Sequence, residues 1–278
     1  MKRTATIQDI SCFGRCSLTA ALPVISAMGV ETAIIPTAVL STHTGGFKGF
    51  TFCDLTDQIK PIYDHWKQLG LEFDSIYTGY LGSDEQIALV CEFIDIFGKN
   101  ALKFIDPVMA DNGKLYTGFG DDFPAKMAKL CAKADVIVPN LTEAAFLLGE
   151  KYPGDEYDEK YIRELLKRLC SLGSKSAVVT GVIYDNNHHG AVAYDSVSGE
   201  YCEYFAEHID TSFHGTGDVF SSSLCGALTL GKSMYDSLRI AVDFTVSAIR
   251  DTRPEKDKYW YGVNFEQRLG DLAASCKG

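Results

Sequence analysis

The chain has 278 residues, 46% of them hydrophobic, which is enough for one large α/β core. Its formal net charge of −11 argues against nucleic acid or an anionic membrane as the main partner, so an anionic ligand has to be held by local N–H groups, a metal or a few cations. No apolar run reaches the roughly 20 residues of a membrane span, no signal-peptide core follows Met1, and nine scattered cysteines without a C-x-x-C pair read as reduced thiols of a cytoplasmic protein.

Residues 4–8 alternate like a strand and break at Asp9. The loop Ser11-Cys12-Phe13-Gly14-Arg15-Cys16-Ser17 then leads into a helix over 18–28. Ligands of open parallel sheets sit beyond the C-terminal ends of the strands, so Asp9 and Ser11 are candidate contacts. A second strand over 32–40 is followed by Ser41-Thr42-His43-Thr44-Gly45-Gly46-Phe47, a flap whose histidine and aromatics suit a small aromatic ligand. An amphipathic helix over 54–69 precedes a third strand, 74–78. That strand ends in Thr78-Gly79-Tyr80-Leu81-Gly82-Ser83, with Ser83 capping a helix over 85–97.

The fourth strand, 102–105, delivers Asp106-Pro107-Val108-Met109, and proline fixes the Asp106 carboxylate at the strand tip as a candidate Mg²⁺ contact. Residues 110–120 are rich in glycine and charge and read as a mobile loop. A helix over 122–133 and a strand over 136–139 lead to Asn140-Leu141-Thr142-Glu143, where Asn140 and Glu143 share one face of a helix start. A helix over 156–172 and a strand over 177–180 bring Thr180 to the same rim. Segments 191–195 and 200–205 read as an antiparallel hairpin, and His188 and His189, in the polar turn 186–190, as surface residues. Three helices, 215–230, 233–250 and 265–274, close the chain. Without repeats or a low-complexity linker, residues 1–278 are expected to form a single domain.

The turn Gly215-Thr216-Gly217-Asp218 runs into the first of those helices. Two glycines let a ligand approach the backbone, and the first free N–H groups of the helix favour negative charge. A carboxylate there repels a resting phosphate, but Asp218 is well placed as a base toward an incoming hydroxyl. Alone, the four residues are read equally well as a helix cap. The strand–helix alternation decides the architecture: α/β, a doubly wound, mostly parallel sheet flanked by helices, with a small antiparallel hairpin. No GxGxxG follows the first strand and no GxxxxGK[ST] occurs, which disfavours dinucleotide-binding and P-loop units.

In this order and spacing, Gly79-Tyr80-Leu81-Gly82-Ser83, Asp106-Pro107-Val108-Met109, Pro139-Asn140-Leu141-Thr142-Glu143 and Gly215-Thr216-Gly217-Asp218 resemble the ribokinase-like superfamily. With the His43-Thr44-Gly45 flap, they resemble its pyridoxal (vitamin B6) kinase group over about residues 4–249. The resemblance implies ATP-dependent phosphorylation of the 5′-hydroxymethyl group of pyridoxal, pyridoxine or pyridoxamine. Asp218 is then the base, and Gly215, Thr216 and Gly217 are the anion hole. Asn140, Glu143 and Thr180 lie on the nucleotide side, Asp106 and Glu143 in the metal shell, and Asp9, Ser11, His43, Thr44 and Tyr80 around the ring. ATP and Mg²⁺ are the implied cofactors, a K⁺ requirement stays open, and a homodimer is implied. Asp9 departs from the serine that many B6 kinases carry. Relatives acting on hydroxymethylpyrimidine often have cysteine where this chain has Asp218. A hydroxymethylpyrimidine kinase and a non-catalytic vitamer-binding protein are the alternatives.

Overall fold

The runs at 75–78, 102–105 and 136–137 are short and show no two-residue alternation, as strands covered on both faces do not. The computed structural model describes residues 1–277 except 155 and 186, and puts these runs at the centre of a sheet. The chain begins with β1 (Arg3–Ser11), α1 (Leu18–Ala27), β2 (Glu31–Leu40), β3 (Phe52–Asp54) and α2 (Thr56–Gln68). It continues through β4 (Ser75–Thr78), α3 (Asp84–Phe97), β5 (Leu102–Ile105), β6 (Ala110–Asp111), β7 (Lys114–Leu115) and α4 (Phe123–Cys131). Then come β8 (Val136–Ile137), α5 (Leu141–Leu147), α6 (Glu159–Cys170), β9 (Ser176–Asp185), β10 (His188–Asp195) and β11 (Tyr201–Glu207). Helices α7 (Thr216–Thr229), α8 (Met234–Thr252) and α9 (Leu269–Ser275) end it.

Nine strands form one sheet in the order β11-β10-β9-β8-β5-β4-β1-β2-β3. From β2 through β1, β4, β5 and β8 to β9 every pairing is parallel, whereas β3 and the β10–β11 pair are antiparallel edges. The expected doubly wound architecture is therefore present, and the expected hairpin is β10–β11, continuing the main sheet.

Alternate residues of one strand feed opposite layers. Ile76, Ile105 and Ile137 pack with α2 to α6, and Tyr77, Phe104 and Val136 pack with α1, α7, α8 and α9. Side-chain caps start the helices: Ser83 accepts from the Gln86 N–H, Asp158 from Tyr161 and Ser233 from Asp236. Six parallel strands run the same way, so the loops after them and the start of α7 gather along one rim.

Three segments differ from expectation. β3 pairs with β2 where a helix start was expected, its three residues all exposed. The expected mobile loop after Met109 contains a two-stranded hairpin, β6–β7, because Asn112 (φ 50°) and Gly113 (φ 74°) both adopt the positive φ of a tight hairpin turn. The expected polar turn 186–190 is shorter: His188 and His189 lie in β10, and Asn186 is outside the described residues. No helix among the described residues is long and apolar enough to cross a membrane, and the nine cysteines are free thiols.

Candidate active site

Gly215 sets the geometry of the rim. Its φ of 76° is left-handed, and a Cβ there would overlap the carbonyl oxygen of Arg15, so only glycine lets the two loops touch. Thr216 turns its hydroxyl back to the Phe213 carbonyl (3.2 Å), and the first helical bond of α7 is Val219 N–H to Gly215 O (3.0 Å). The N–H groups of Thr216, Gly217 and Asp218 thus have no intrahelical acceptor, which is the anion-accepting arrangement.

Asp218 stands in that first turn. Burial pushes its carboxyl up from 3.8 to about 7; a hydrogen bond from the Ser17 backbone N–H works against this and the nearby charge of Asp9 adds to it. Ser17 delivers that N–H from a positive φ of 52°, uncommon for a residue with a Cβ. Its hydroxyl also bonds Asp9, as does that of Ser11 at 3.1 Å. Burial raises Asp9 as well, so β1 ends on a protected carboxyl beside the candidate base.

The start of α5 is a reciprocal cap: Asn140 Oδ1 accepts from Glu143 N–H and Glu143 Oε2 accepts from Asn140 N–H, both at 2.9 Å. The same Glu143 also accepts from the N–H of Met109 (3.0 Å), while Asn140 Nδ2 donates to Ala110 O (2.8 Å) and Gly113 N–H to Thr142 Oγ1 (3.1 Å). One four-residue helix start therefore clips the β6–β7 hairpin against the rim, where the exposed Asp111 and Asn112 line the cavity. Burial pushes Glu143 up to about 8 against its backbone donors, and holds Asp106 well above the ordinary carboxylate range, where Glu143 repels it further.

These groups share a cavity of about 450 Å³ lined by Asp106, Asn140, Glu143, Thr180 and the turn from Gly215 to Asp218. Asp111, Tyr116, His189, His214 and Thr245 join them there; the sequence had marked none as a contact. Among the cavity's residues are four carboxylates and no lysine or arginine. Its walls also include Phe213, Val242 and Ile249. A second cavity of about 750 Å³ shares Asp111, Asn112, Asn140, Thr180 and Gly181 with the first.

The other candidate contacts, Asp9, Ser11, His43, Thr44 and Tyr80, are not among the residues lining either cavity. Tyr80, after β4, packs its ring 5.6 Å from Phe119 and is held by Thr37, whose hydroxyl donates to the Tyr80 carbonyl (3.3 Å). His43 Nδ1 accepts from Gly45 N–H (3.1 Å), so Nε2 carries the proton it donates to the Tyr261 carbonyl (2.8 Å). Burial lowers its pKa, and this neutral ring pins the flap to the C-terminal segment, 5.2 Å from His214. Phe47 and Trp260, 4.5 Å apart, add to the clasp, whereas Thr44 is exposed.

A parallel sheet that collects a candidate base, an open helix start and buried carboxylates at one rim belongs to a recognisable kind of protein. Residues 12–262 match the model of the phosphomethylpyrimidine kinase family. The chain belongs to that family. A Bacteroides thetaiotaomicron protein assigned to the phosphomethylpyrimidine kinases, crystallised with pyridoxal, is 38% identical with a TM-score of 0.92, covering 98% of this chain and 95% of its own. Pyridoxal kinase from Lactobacillus plantarum is 30% identical with a TM-score of 0.90, covering 99% and 97%. These relatives support the pyridoxal kinase group of the ribokinase-like fold. A probable thiamine biosynthetic bifunctional enzyme from Oryza sativa is 25% identical over 245 residues, 86% of this chain but 43% of that enzyme. The chain thus spans less than half the length of that curated relative.

Proposed function

We propose that this chain is a single-domain, ATP-dependent kinase that phosphorylates the 5′-hydroxymethyl group of a B6 vitamer. The observation that carries the reading is Asp218, a carboxyl raised to about 7 in the first turn of a helix whose leading N–H groups have no intrahelical acceptor. Near neutral pH such a group takes a proton from an alcohol, while the N–H groups of Thr216, Gly217 and Asp218 accept the charge growing on the transferred phosphoryl. Phosphoryl transfer is mainly positioning and charge neutralisation. Asn140, Glu143 and Thr180 line the cavity and are read as the donor side; Asp9, Ser11, His43, Thr44 and Tyr80 are assigned to the ring side on the resemblance.

Four carboxylates without a basic side chain cannot hold a polyphosphate alone. Their oxygens fit Mg²⁺, which favours one or two carboxylates together with phosphate oxygens and water, and no group of three or more ligating side chains is preassembled among the described residues. Asp106 and Glu143 would hold the ion, which when bound would neutralise the phosphate charge. A homodimer, also implied by the resemblance, is part of this proposal and is read by sedimentation equilibrium.

The test is ATP consumption with Mg²⁺ against pyridoxal, pyridoxine, pyridoxamine and hydroxymethylpyrimidine, with Asp218→Asn as control. Turnover on a vitamer that the control lacks supports the reading. Membership of the phosphomethylpyrimidine kinase family favours one second reading, a hydroxymethylpyrimidine kinase, and preferred turnover of the pyrimidine would establish it instead. Vitamer binding without ATP consumption would make the chain a binding protein.

A further inference from the structure

His189, in β10, and Thr245, in α8, both line the cavity. They do so beside Phe213, Val242 and Ile249, an apolar wall suited to a flat ring. Val242, Thr245 and Ile249 recur at helical spacing, so α8 presents one face there. Each polar member of this wall carries a buried atom with no protein partner: Thr245 Oγ1 and His189 Nδ1. Ser222 and Ser237 in the same helices also keep an unpartnered hydroxyl, but neither lines the cavity as Thr245 does. The hydroxyls of Ser223, Thr229 and Thr252 all donate to the carbonyl four residues back at 2.7 Å, whereas Thr245, only 6% exposed, does not. His189 bonds the Glu207 carbonyl, and because Nδ1 is the unpartnered nitrogen, Nε2 carries the proton for that bond. Nδ1 is thereby left as a bare acceptor.

We propose that His189 and Thr245 read the nucleobase of the phosphoryl donor, with His189 Nδ1 accepting from the exocyclic amine of adenine. The inference rests on the nucleotide assignment made above. A neutral imidazole acceptor welcomes a 6-amino purine and opposes the carbonyl oxygen of a 6-oxo purine, lone pair against lone pair. A hydroxyl is donor and acceptor at once and serves either ring. A site built to bond an amine rejects the analogue without it, because its buried acceptor is left unpaired. The apolar wall alone would not discriminate.

Calorimetric titration with Mg²⁺ and ADP, IDP or 2′-deoxy-ADP tests this without turnover. The wild type is expected to bind ADP about tenfold more tightly than IDP. In His189→Leu the two affinities converge, while in Thr245→Val both fall by about fivefold to tenfold at an unchanged ratio. Thermal melts verify that the variants are folded. Equal wild-type affinities for ADP and IDP, or a ratio that survives in His189→Leu, overturn the inference and leave the kinase reading standing. If His189→Leu instead removes a preference against 2′-deoxy-ADP, His189 reads the sugar and the inference is wrong. A wild type that binds none of the three nucleotides removes the nucleotide assignment itself.

Discussion

A carboxylate at its ordinary pKa of 3.8 is a poor base toward an alcohol, and the burial that lifts Asp218 to about 7 suits it to the task. Asp218→Asn keeps the shape and removes the proposed base. Its kcat is expected to fall by about 10²–10⁴-fold, with vitamer affinity from titration nearly unchanged; full activity would show that Asp218 is not the base. Only the ionised form accepts a proton, so kcat of the wild type rises as pH passes through about 7. Asp9 contributes to that elevation by repulsion. Asp9→Asn removes a neighbouring charge and moves the rising limb to lower pH, and a limb that stayed in place would mean the two carboxyls do not sense each other.

At the scale of elements, the start of α5 is the joint that holds the rim together. Glu143 serves N–H donors from both Asn140 and Met109, on separate segments. Glu143→Gln replaces one acceptor oxygen by an NH₂ group, so one buried N–H loses its partner and the β6–β7 hairpin loosens. Urea denaturation is expected to show a loss of about 1–3 kcal/mol, and KM for ATP to rise more than KM for the vitamer. Equal changes in the two constants would contradict a clip specific to the donor side. The cap itself is legible in the sequence, since Asn140 and Glu143 stand three apart at a strand end; its second function is not, because Met109 lies on another segment. The β6–β7 turn is written in the adjacent Asn112 and Gly113, a signal outweighed by the charge and glycine around it. His189 misleads for the opposite reason: in a run of asparagines and histidines its polarity reads as surface, and only strand pairing brings it to the cavity wall. Ser17 gives no sign at all, because its importance lies in a strained backbone N–H aimed at a residue two hundred positions away. The parallel core was readable because short apolar runs alternating with amphipathic helices leave few other ways to bury both faces of a sheet.

For the whole molecule, an acidic cavity in a chain of net charge −11 is a burden on stability as well as a device for chemistry. Asp218 shows the sign. Unfolded, its carboxyl releases a proton near 3.8; folded, it holds that proton up to about 7. The folded state therefore binds more protons, and the stability present below pH 3.8 is lost as pH rises through 7. Above that, the ionised carboxyl is a constant penalty, which solvent near the half-buried side chain reduces to roughly 1–3 kcal/mol. Asp218→Asn has no such group to ionise. Its melting temperature is expected to match the wild type at pH 4 and to exceed it by a few degrees at pH 8, the gap opening between these limits. Scanning calorimetry across pH 4–8 reads it directly. A mutant stabilised equally at every pH would place the burden in packing rather than charge, and one destabilised at pH 8 would mean that Asp218 is held by hydrogen bonds stronger than its desolvation. If the gap opens as expected, the stability lost at neutral pH and the basicity of Asp218 have one cause, since the same burial that makes the carboxyl costly to ionise is what makes it able to take a proton.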